Sequence, residues 1–501
     1  MRLSLRLLAA LVSCLAVIAT AQAKNLEDQD WIRLTADGHT VYTYGDYHDA
    51  NAILSGLYIL SETAPRLFQL PESRPARPFR IILVDKKSEM KAVGLKSSSI
   101  VSQRTDFRTH SFVIRDWPAF NELSFLLREY AERLVLYSDD HASIHWVRQG
   151  LANYLAGTSW TADEVTYGNR PAHLTDAMAY RFWLSADRLL TDRKEGDFNR
   201  EMYSRYVGQT WVLVHYLVSV LSREHSVITL LRHYRGLVDS GMDEATALYR
   251  TTGIEPDKLV STLKGHNQTC CRIFQIDASS AFSEYSVSRS DVSREEISLL
   301  LAEQALHNKE TEAARRWIGI AATDENLASR ARMLRGKLFL QEGDMQAAKT
   351  QFEAAVEQSP ESIEAKIALG RFWIERARDA DDLAAKQSAA QNARRLLVAA
   401  WKLDDQSPEV YYLNAQSYLV AELNHEKAVE MLDAAAYQQP FNLQILQSQA
   451  ETLIAAGRQE EAVPVAETIA RLDRRAEAAE LEASIVESRS EEVADEPAID
   501  R

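Results

Sequence analysis

The hydrophobic pattern of the chain changes its period between the N-terminal part and the rest. Between residues 30 and 114 the pattern predicts short β-strands. Apolar and polar residues alternate over 32–34 and 39–43 as they do in half-buried strands, and the apolar runs 79–84 and 111–114 predict two further strands. Residues 50–68 carry apolar side chains at helical spacing, which predicts one amphipathic helix among these strands. Beyond residue 115 the apolar runs are helical. The pattern predicts an α+β N-terminal domain, a small sheet plus helices, followed by an all-α region.

From about residue 291 the helical pattern repeats. The segment 329–360 places small and bulky residues at the intervals seen in paired helices: Gly336, Phe339, Gly343, Ala348, Phe352 and Ala355. Small residues let the helices approach closely, and bulky ones fill the space between them. The segment resembles a tetratricopeptide (TPR) repeat, and weaker copies bring the total to about five units. The resemblance implies a TPR solenoid whose concave face binds a protein or peptide partner.

The stretch 124–157 is predicted to form two helices that face each other. It contains Arg128-Glu129-Tyr130-Ala131-Glu132 and, further on, Trp146-Val147-Arg148-Gln149-Gly150-Leu151-Ala152-Asn153-Tyr154. Both runs resemble the zinc-site helices of the gluzincin peptidases, in particular the bacterial peptidase MA-like domains. In that family His-Glu-x-x-His supplies two zinc ligands, and a glutamate on the next helix is the third. The resemblance implies a gluzincin-like N-terminal domain.

The resemblance covers the surroundings of the zinc site but not its ligands. Arg128, Glu132 and Gln149 occupy the three ligand positions, and only Glu129 keeps the family residue, the general base. An arginine side chain has donors only and is permanently charged, and an amide lacks the charge that zinc sites favour. We therefore interpret the domain as a pseudopeptidase with no catalytic residues and no cofactor. Arg128 with Glu132, and Glu129 with Arg133, are expected to form ion pairs one turn apart.

An alternative interpretation stays open at this point. The protein can be an active periplasmic zinc metallopeptidase whose ligands have moved, for instance to Glu132 with His141 or His145. Both histidines fall in the predicted loop between the two helices, and a spacing of four brings side chains together only on a helix. The resemblance also implies that residues 111–115 form the edge strand of the sheet, where an extended peptide can pair with it.

Charge and targeting signals narrow the partners and the compartment. A net charge of −15 argues against nucleic acids and anionic membranes, because both need a basic surface. Residues 1–23 have the charged start, apolar stretch and small-residue cleavage site of a secretory signal peptide, which predicts export to the periplasm. Lipoprotein processing at Cys14 is the less favoured alternative. No other apolar run is long enough to span a membrane. The remaining cysteines, Cys270 and Cys271, are adjacent, so together they cannot staple distant parts of the fold.

These observations predict five segments: a signal peptide at 1–23, a degenerate peptidase MA-like domain at 24–275, a linker at 276–290, TPR-like repeats at 291–480 and an acidic, disordered tail at 481–501. The favoured function is that of an exported scaffold. In it, a catalytically inactive zinc-peptidase-like domain is joined to a protein-binding solenoid.

Overall fold

The computed structural model describes residues 25–68, 77–95, 101–115, 122–136, 144–171, 174, 182–190, 200–221, 226–269, 274–278 and 282–472. Several predictions fall outside these ranges: the signal peptide with Cys14, the ligand candidate His141, the Cys270–Cys271 pair and the acidic tail. Within the described ranges, no helix combines the length and apolar character needed to cross a membrane.

The described strands form two sheets. They are β1 (Ile32–Ala36), β2 (His39–Thr43), β3 (Phe79–Val84), β4 (Val101–Thr105), β5 (His110–Arg115), β6 (Ser159–Trp160), β7 (Glu164–Tyr167), β8 (Phe274–Asp277) and β9 (Ser288–Asp291). The larger sheet has the order β4-β5-β3-β2-β1-β9, and the smaller one β6-β7-β8. In the larger sheet β3 is parallel to β2 and β5, and all other pairs are antiparallel. The four strands predicted from the sequence are present as β1, β2, β3 and β5.

Two predictions about the sheets differ from the structure. The strand at 111–115 is not at the edge, because β4 pairs with β5 from Val101 opposite Ile114 to Thr105 opposite His110. The segment 276–290 is not a free linker, because its two ends lie in β8 and β9, which pair with β7 and β1. Both β4 and β9 are rich in polar residues, so alternation of apolar residues does not reveal them.

The helices of the N-terminal domain are α1 (Tyr47–Phe68), α2 (Lys87–Ala92), α3 (Glu122–Leu136), α4 (His145–Ala156), α5 (Ala186–Leu190), α6 (Arg200–Tyr216), α7 (Val227–Asp239), α8 (Glu244–Thr252) and α9 (Pro256–Thr269). Every residue of α4 is buried. At Gly150 on α4 a Cβ atom would lie 2.7 Å from the carbonyl oxygen of Thr210 on α6, so only glycine permits this close approach. The core therefore fixes α4 against both α3 and α6.

Ten further helices form five consecutive pairs within residues 282–472. They are α10 (Arg294–His307), α11 (Thr311–Ala321), α12 (Ala328–Gln341), α13 (Met345–Gln358), α14 (Ile363–Arg378), α15 (Leu383–Trp401), α16 (Pro408–Leu419), α17 (His425–Gln438), α18 (Leu443–Ala455) and α19 (Gln459–Leu472). A Cβ atom at Gly336 on α12 would lie 2.6 Å from the ring of Phe352 on α13, as expected for a close pair. Asp344 caps α13 by accepting from the Ala347 amide at 2.9 Å. The repeat pattern therefore predicted the paired helices correctly.

The larger sheet is covered on both faces. On β3, Ile81 faces the N-terminal helices, whereas the next residue, Ile82, faces a second core shared with α10 and α11. Trp317 on α11 is fully buried in that second core, and its Nε1 donates to the carbonyl oxygen of Ala92 at 2.9 Å. The first helix pair of the solenoid is thus a layer of the same folded unit as the sheet.

Candidate functional site

The fold brings together the positions that the resemblance assigns to zinc ligands. Arg128 and Glu132 lie one turn apart on α3 and are partly buried, whereas Tyr130 and Ala131 between them point into the core. Gln149 on α4 is buried, and its Nε2 donates to Glu132 Oε1 at 3.3 Å. The second and third assigned positions are therefore in contact across the two helices.

Guanidinium groups surround the carboxylates at this place. Arg128 Nη1 lies 3.5 Å from Glu132 Oε2, and Arg148 Nε lies 3.3 Å from Glu132 Oε1. Arg133 Nη1 lies 3.3 Å from Glu129 Oε2, and Arg128 also contacts Glu129. Both ion pairs expected from the sequence are formed. We refer to Arg128, Glu129, Glu132, Arg133, Arg148 and Gln149 as the motif cluster; its two carboxylates are outnumbered by three guanidinium groups.

The motif cluster does not fit a zinc ion. A zinc site needs three protein ligands with free lone pairs, but here one assigned position is a guanidinium and another is a neutral amide. The remaining carboxylate, Glu132, has two guanidinium groups within 3.5 Å that would repel the ion. Among the described residues, no three or more His, Cys, Asp or Glu side chains are grouped so that they could hold a metal ion.

His145, a ligand candidate under the alternative interpretation, is the first residue of α4 and not part of a loop. Its ring stacks on Tyr206 with 5.5 Å between centroids, and its Nδ1 lies 3.1 Å from Arg148 Nη2. Arg148 thus contacts both His145 and Glu132, which places a guanidinium where a metal shared by these two residues would have to sit. The second candidate, His141, lies outside the described residues.

The sequence analysis missed a histidine that adjoins the motif cluster. His110 on β5 accepts at Nε2 from Arg133 Nε at 3.1 Å, and its Nδ1 lies 2.7 Å from Thr105 Oγ1 on β4. Burial, with a further contribution from Arg133, lowers the pKa of His110 to about 2, so the ring is neutral. His110 therefore links the sheet to α3. Its contact with Arg133 depends on how α3 packs against β5, and the sequence pattern carries no signal for that packing.

A second polar site lies between the larger sheet and the inner helices of the solenoid. It borders a cavity of about 650 Å³. At one end Glu303 on α10 forms ion pairs with three arginines: Arg80 at 3.3 Å, Arg104 at 3.2 Å and Arg330 at 3.5 Å. Burial alone would raise the pKa of Glu303, but these arginines outweigh it and hold the pKa below its usual range. We call these four residues the groove cluster.

Lys337 on α12 also lines the cavity. Its side chain contacts solvent in the cavity. Desolvation by the surrounding protein lowers the pKa of Lys337, and the nearby carboxylates of Glu303 and Glu409 partly oppose this shift. Apolar side chains, including those of Phe352 and Ile367, line the cavity as well. The cavity therefore offers charged side chains of both signs together with apolar ones.

The hairpin between β4 and β5 reaches into the inner face of the solenoid. Its tip, residues 106–109, is a turn in which Asp106 Oδ1 accepts from the amides of Arg108 and Thr109, both at 2.8 Å. Phe107 at this tip is buried, and its ring lies 5.4 Å from that of Tyr412 on α16. The inner face, which we call the groove, is formed by α10, α12, α14 and α16. Phe107 thus inserts its ring into the groove, a contact for which the sequence pattern carries no signal.

Comparisons with known proteins give limited information. No family model matches the chain, and no curated protein is similar to it. Among solved structures, it is similar to TTC0263, a thermophilic TPR protein of Thermus thermophilus, at 17% identity over 38% of this chain and 97% of that chain, with a TM-score of 0.33. It is also similar to MamA, from residue 41 to its end, of Desulfovibrio magneticus RS-1, at 18% identity over 36% of this chain and 95% of that chain, with a TM-score of 0.29. At these TM-scores no conclusion rests on the likeness.

Proposed function

We propose that this protein is an exported interaction scaffold in which a catalytically inactive zinc-peptidase-like domain is joined to a TPR solenoid that binds a protein or peptide partner. The observation that supports inactivity is the arrangement around Glu132: Arg128 occupies an assigned ligand position 3.5 Å away, and Arg148 lies 3.3 Å away. A permanently charged guanidinium cannot coordinate zinc, so no metal-bound water is available to Glu129.

The peptidase-like origin of the domain is supported by geometry as well as by the motif. Glu132 and Gln149 are in contact at the second and third assigned positions. Gly150, which belongs to the resembling run, is required by the close approach of α4 to α6. The packing of α3 against α4 is therefore what we expect of a zinc site in which the ligands have been replaced.

The solenoid supplies the binding surface in this proposal. Its groove presents charged side chains beside apolar ones, and a cavity of about 650 Å³ remains in it. Export to the periplasm is supported by the signal-peptide pattern of residues 1–23. No catalytic step is assigned to the solenoid.

The test of inactivity is the zinc content of the protein purified from periplasm without chelator or metal-affinity tag. We expect far less than one zinc per chain, and Glu129→Gln to leave partner binding unchanged. A ratio near one that is lost in Glu132→Ala or His145→Ala would overturn the proposal, because these residues would then be zinc ligands.

The test of the scaffold is partner capture by chemical crosslinking in the periplasm. A groove variant, Lys337→Glu with Arg371→Glu, changes charges that line the cavity. The matched control, Arg395→Glu, makes the same type of change on an exposed position of the outer helix α15. We expect the groove variant to lose a partner that the wild type and the control retain. Equal capture by all three proteins would contradict binding through the groove.

A further inference from the structure

The groove already holds a ligand that belongs to the chain itself. Phe107 belongs to a hydrophobic cluster in which every other member lies in the repeats, between Ile363 and Ile445. The ring of Phe107 is 7% exposed although the tip that carries it is a surface turn of another domain. The hairpin tip is therefore bound by the solenoid in the way a separate peptide would be.

We propose that the groove is a recognition site for a peptide with an aromatic residue followed by an arginine, and that Phe107 and Arg108 occupy this site until such a partner displaces them. This inference rests on the proposed scaffold function and names the class of partner and its regulation.

The contacts of the tip define what the site recognises. The aromatic ring packs against Tyr412, and the carbonyl oxygen of Phe107 accepts from Gln439 Nε2 at 2.6 Å. The guanidinium of Arg108 pairs with Glu364 and lies 3.9 Å from Glu409 Oε2. The groove thus offers an apolar contact for the aromatic ring, a hydrogen-bond donor for the main chain and two carboxylates for the guanidinium, in the order that an aromatic–arginine pair requires.

The tip is attached more weakly than the rest of its domain. The sheet joins α10 and α11 through a continuous apolar core that contains Trp317. At the tip, Phe107 is the apolar anchor, and the ion pair of Arg108 with Glu364 is about half exposed and therefore weak. Release of the tip leaves the apolar core in place.

A partner can begin to bind before the tip leaves. The cavity of about 650 Å³ adjoins the tip, since Arg108 and Thr109 line it together with Ile367 and Arg371. A peptide can occupy this space first and then take over the contacts of Phe107. Because a tethered ligand competes at an effective concentration of about millimolar, a free peptide binds well only if it is tighter than the tip or if the tip is removed.

The experiment measures binding of a synthetic peptide with the sequence of residues 103–112, QRTDFRTHSF, labelled with a fluorophore, to the full chain by anisotropy. The tip is removed from the groove with Phe107→Ala plus Arg108→Ala, and the matched control is Gln103→Ala, an exposed position of β4. We expect the tip variant to bind the peptide at least about tenfold more tightly than the wild type or the control, because the tethered competitor is gone.

Two further proteins test where the peptide binds. Tyr412→Ala plus Glu409→Gln, added to the tip variant, is expected to abolish binding of the peptide. A peptide in which alanine replaces the residues equivalent to Phe107 and Arg108 is expected not to bind to the tip variant. Arg108→Glu in otherwise wild-type protein places a carboxylate beside Glu364 and Glu409 at an exposed site. Repulsion between these like charges is expected to release the tip, so this variant provides the same test even if the double variant fails to fold.

The inference is overturned if folded tip variants bind the peptide no better than the wild type, or bind the alanine peptide equally well. The scaffold proposal survives that result, provided that partner capture still depends on Lys337 and Arg371. If capture fails while peptide binding behaves as expected, the recognition site stands and the proposed periplasmic partner does not.

Discussion

The motif cluster and the groove cluster are both built from a glutamate among arginines, but their surroundings differ. Glu132 forms ion pairs with Arg128 on α3 and Arg148 on α4, two helices of one domain. Glu303 receives arginines from β3, β4 and α12, so its pairs join the sheet to the solenoid, and they border an open cavity.

The difference shows how the same residue types serve two purposes. In the motif cluster the guanidinium groups pair with both carboxylates, so neither carboxylate is available to an ion. In the groove cluster they hold two layers together beside a space that a ligand can enter.

Glu303→Gln is expected to destabilise the protein by about 3 kcal/mol, because it removes the carboxylate that three partly buried arginines share. Denaturant unfolding measures this difference. The matched control is Glu342→Gln, which breaks a more exposed pair with Arg315 and should cost less than about 1 kcal/mol. Equal costs for the two variants would mean that the groove cluster does not join the layers.

Acid should act first on His110, which adjoins the motif cluster. The pKa of His110 is about 2 in the folded protein, below its usual value of 6.5, so the unfolded chain takes up the proton first and stability falls as the pH drops below 6.5. Relative to His110→Gln, the wild type should lose stability with a slope that approaches about 1.4 kcal/mol per pH unit. Unfolding curves at pH 7.5, 6 and 5 measure this, and a difference independent of pH would contradict it.

The groove cluster should respond only at lower pH. The folded-state pKa of Glu303 lies below its usual 4.5, so its contribution to stability is complete above pH 4.5 and is lost as the pH falls through the lowered value. The difference between wild type and Glu303→Gln should therefore stay constant from pH 7.5 to 5 and shrink below 4.5. A change that begins near pH 6.5 would assign the effect to another group.

Glu132→Gln should have a smaller effect than Glu303→Gln, about 1 kcal/mol. Arg128 keeps its contact with Glu129, and Arg148 keeps His145, so neither guanidinium is left alone. Thermal unfolding measures the cost. A loss above that of Glu303→Gln would reverse the ranking of the two clusters.

The sequence alone predicted the regular elements that carry their own pattern. The strands at 39–43 and 79–84 were found because their apolar residues form runs of strand length, and the helix pairs because small and bulky residues recur at fixed intervals. β4 and β9 were missed because they are polar strands whose formation depends on the neighbour they pair with. Local pattern does not contain that information.

The candidate site was predictable only where a resemblance supplied the geometry. The resemblance placed Glu132 opposite Gln149, and the structure brings them into contact. It gave no indication of Arg148 contacting Glu132, or of Phe107 in the groove, because these contacts depend on how separate elements pack against each other. Such contacts follow from the packing of whole domains.

In the proposed function, α3 and α4 form the frame of a zinc site from which the side chains alone exclude the metal. The decisive experiment restores the ligands with Arg128→His, Glu132→His and Gln149→Glu, together with Arg148→Ala to remove the second guanidinium. The matched control carries Glu132→Ala in place of the histidine. We expect about one zinc per chain in the restored protein and none in the control. A folded, restored protein that binds no zinc would rule out a zinc-site frame.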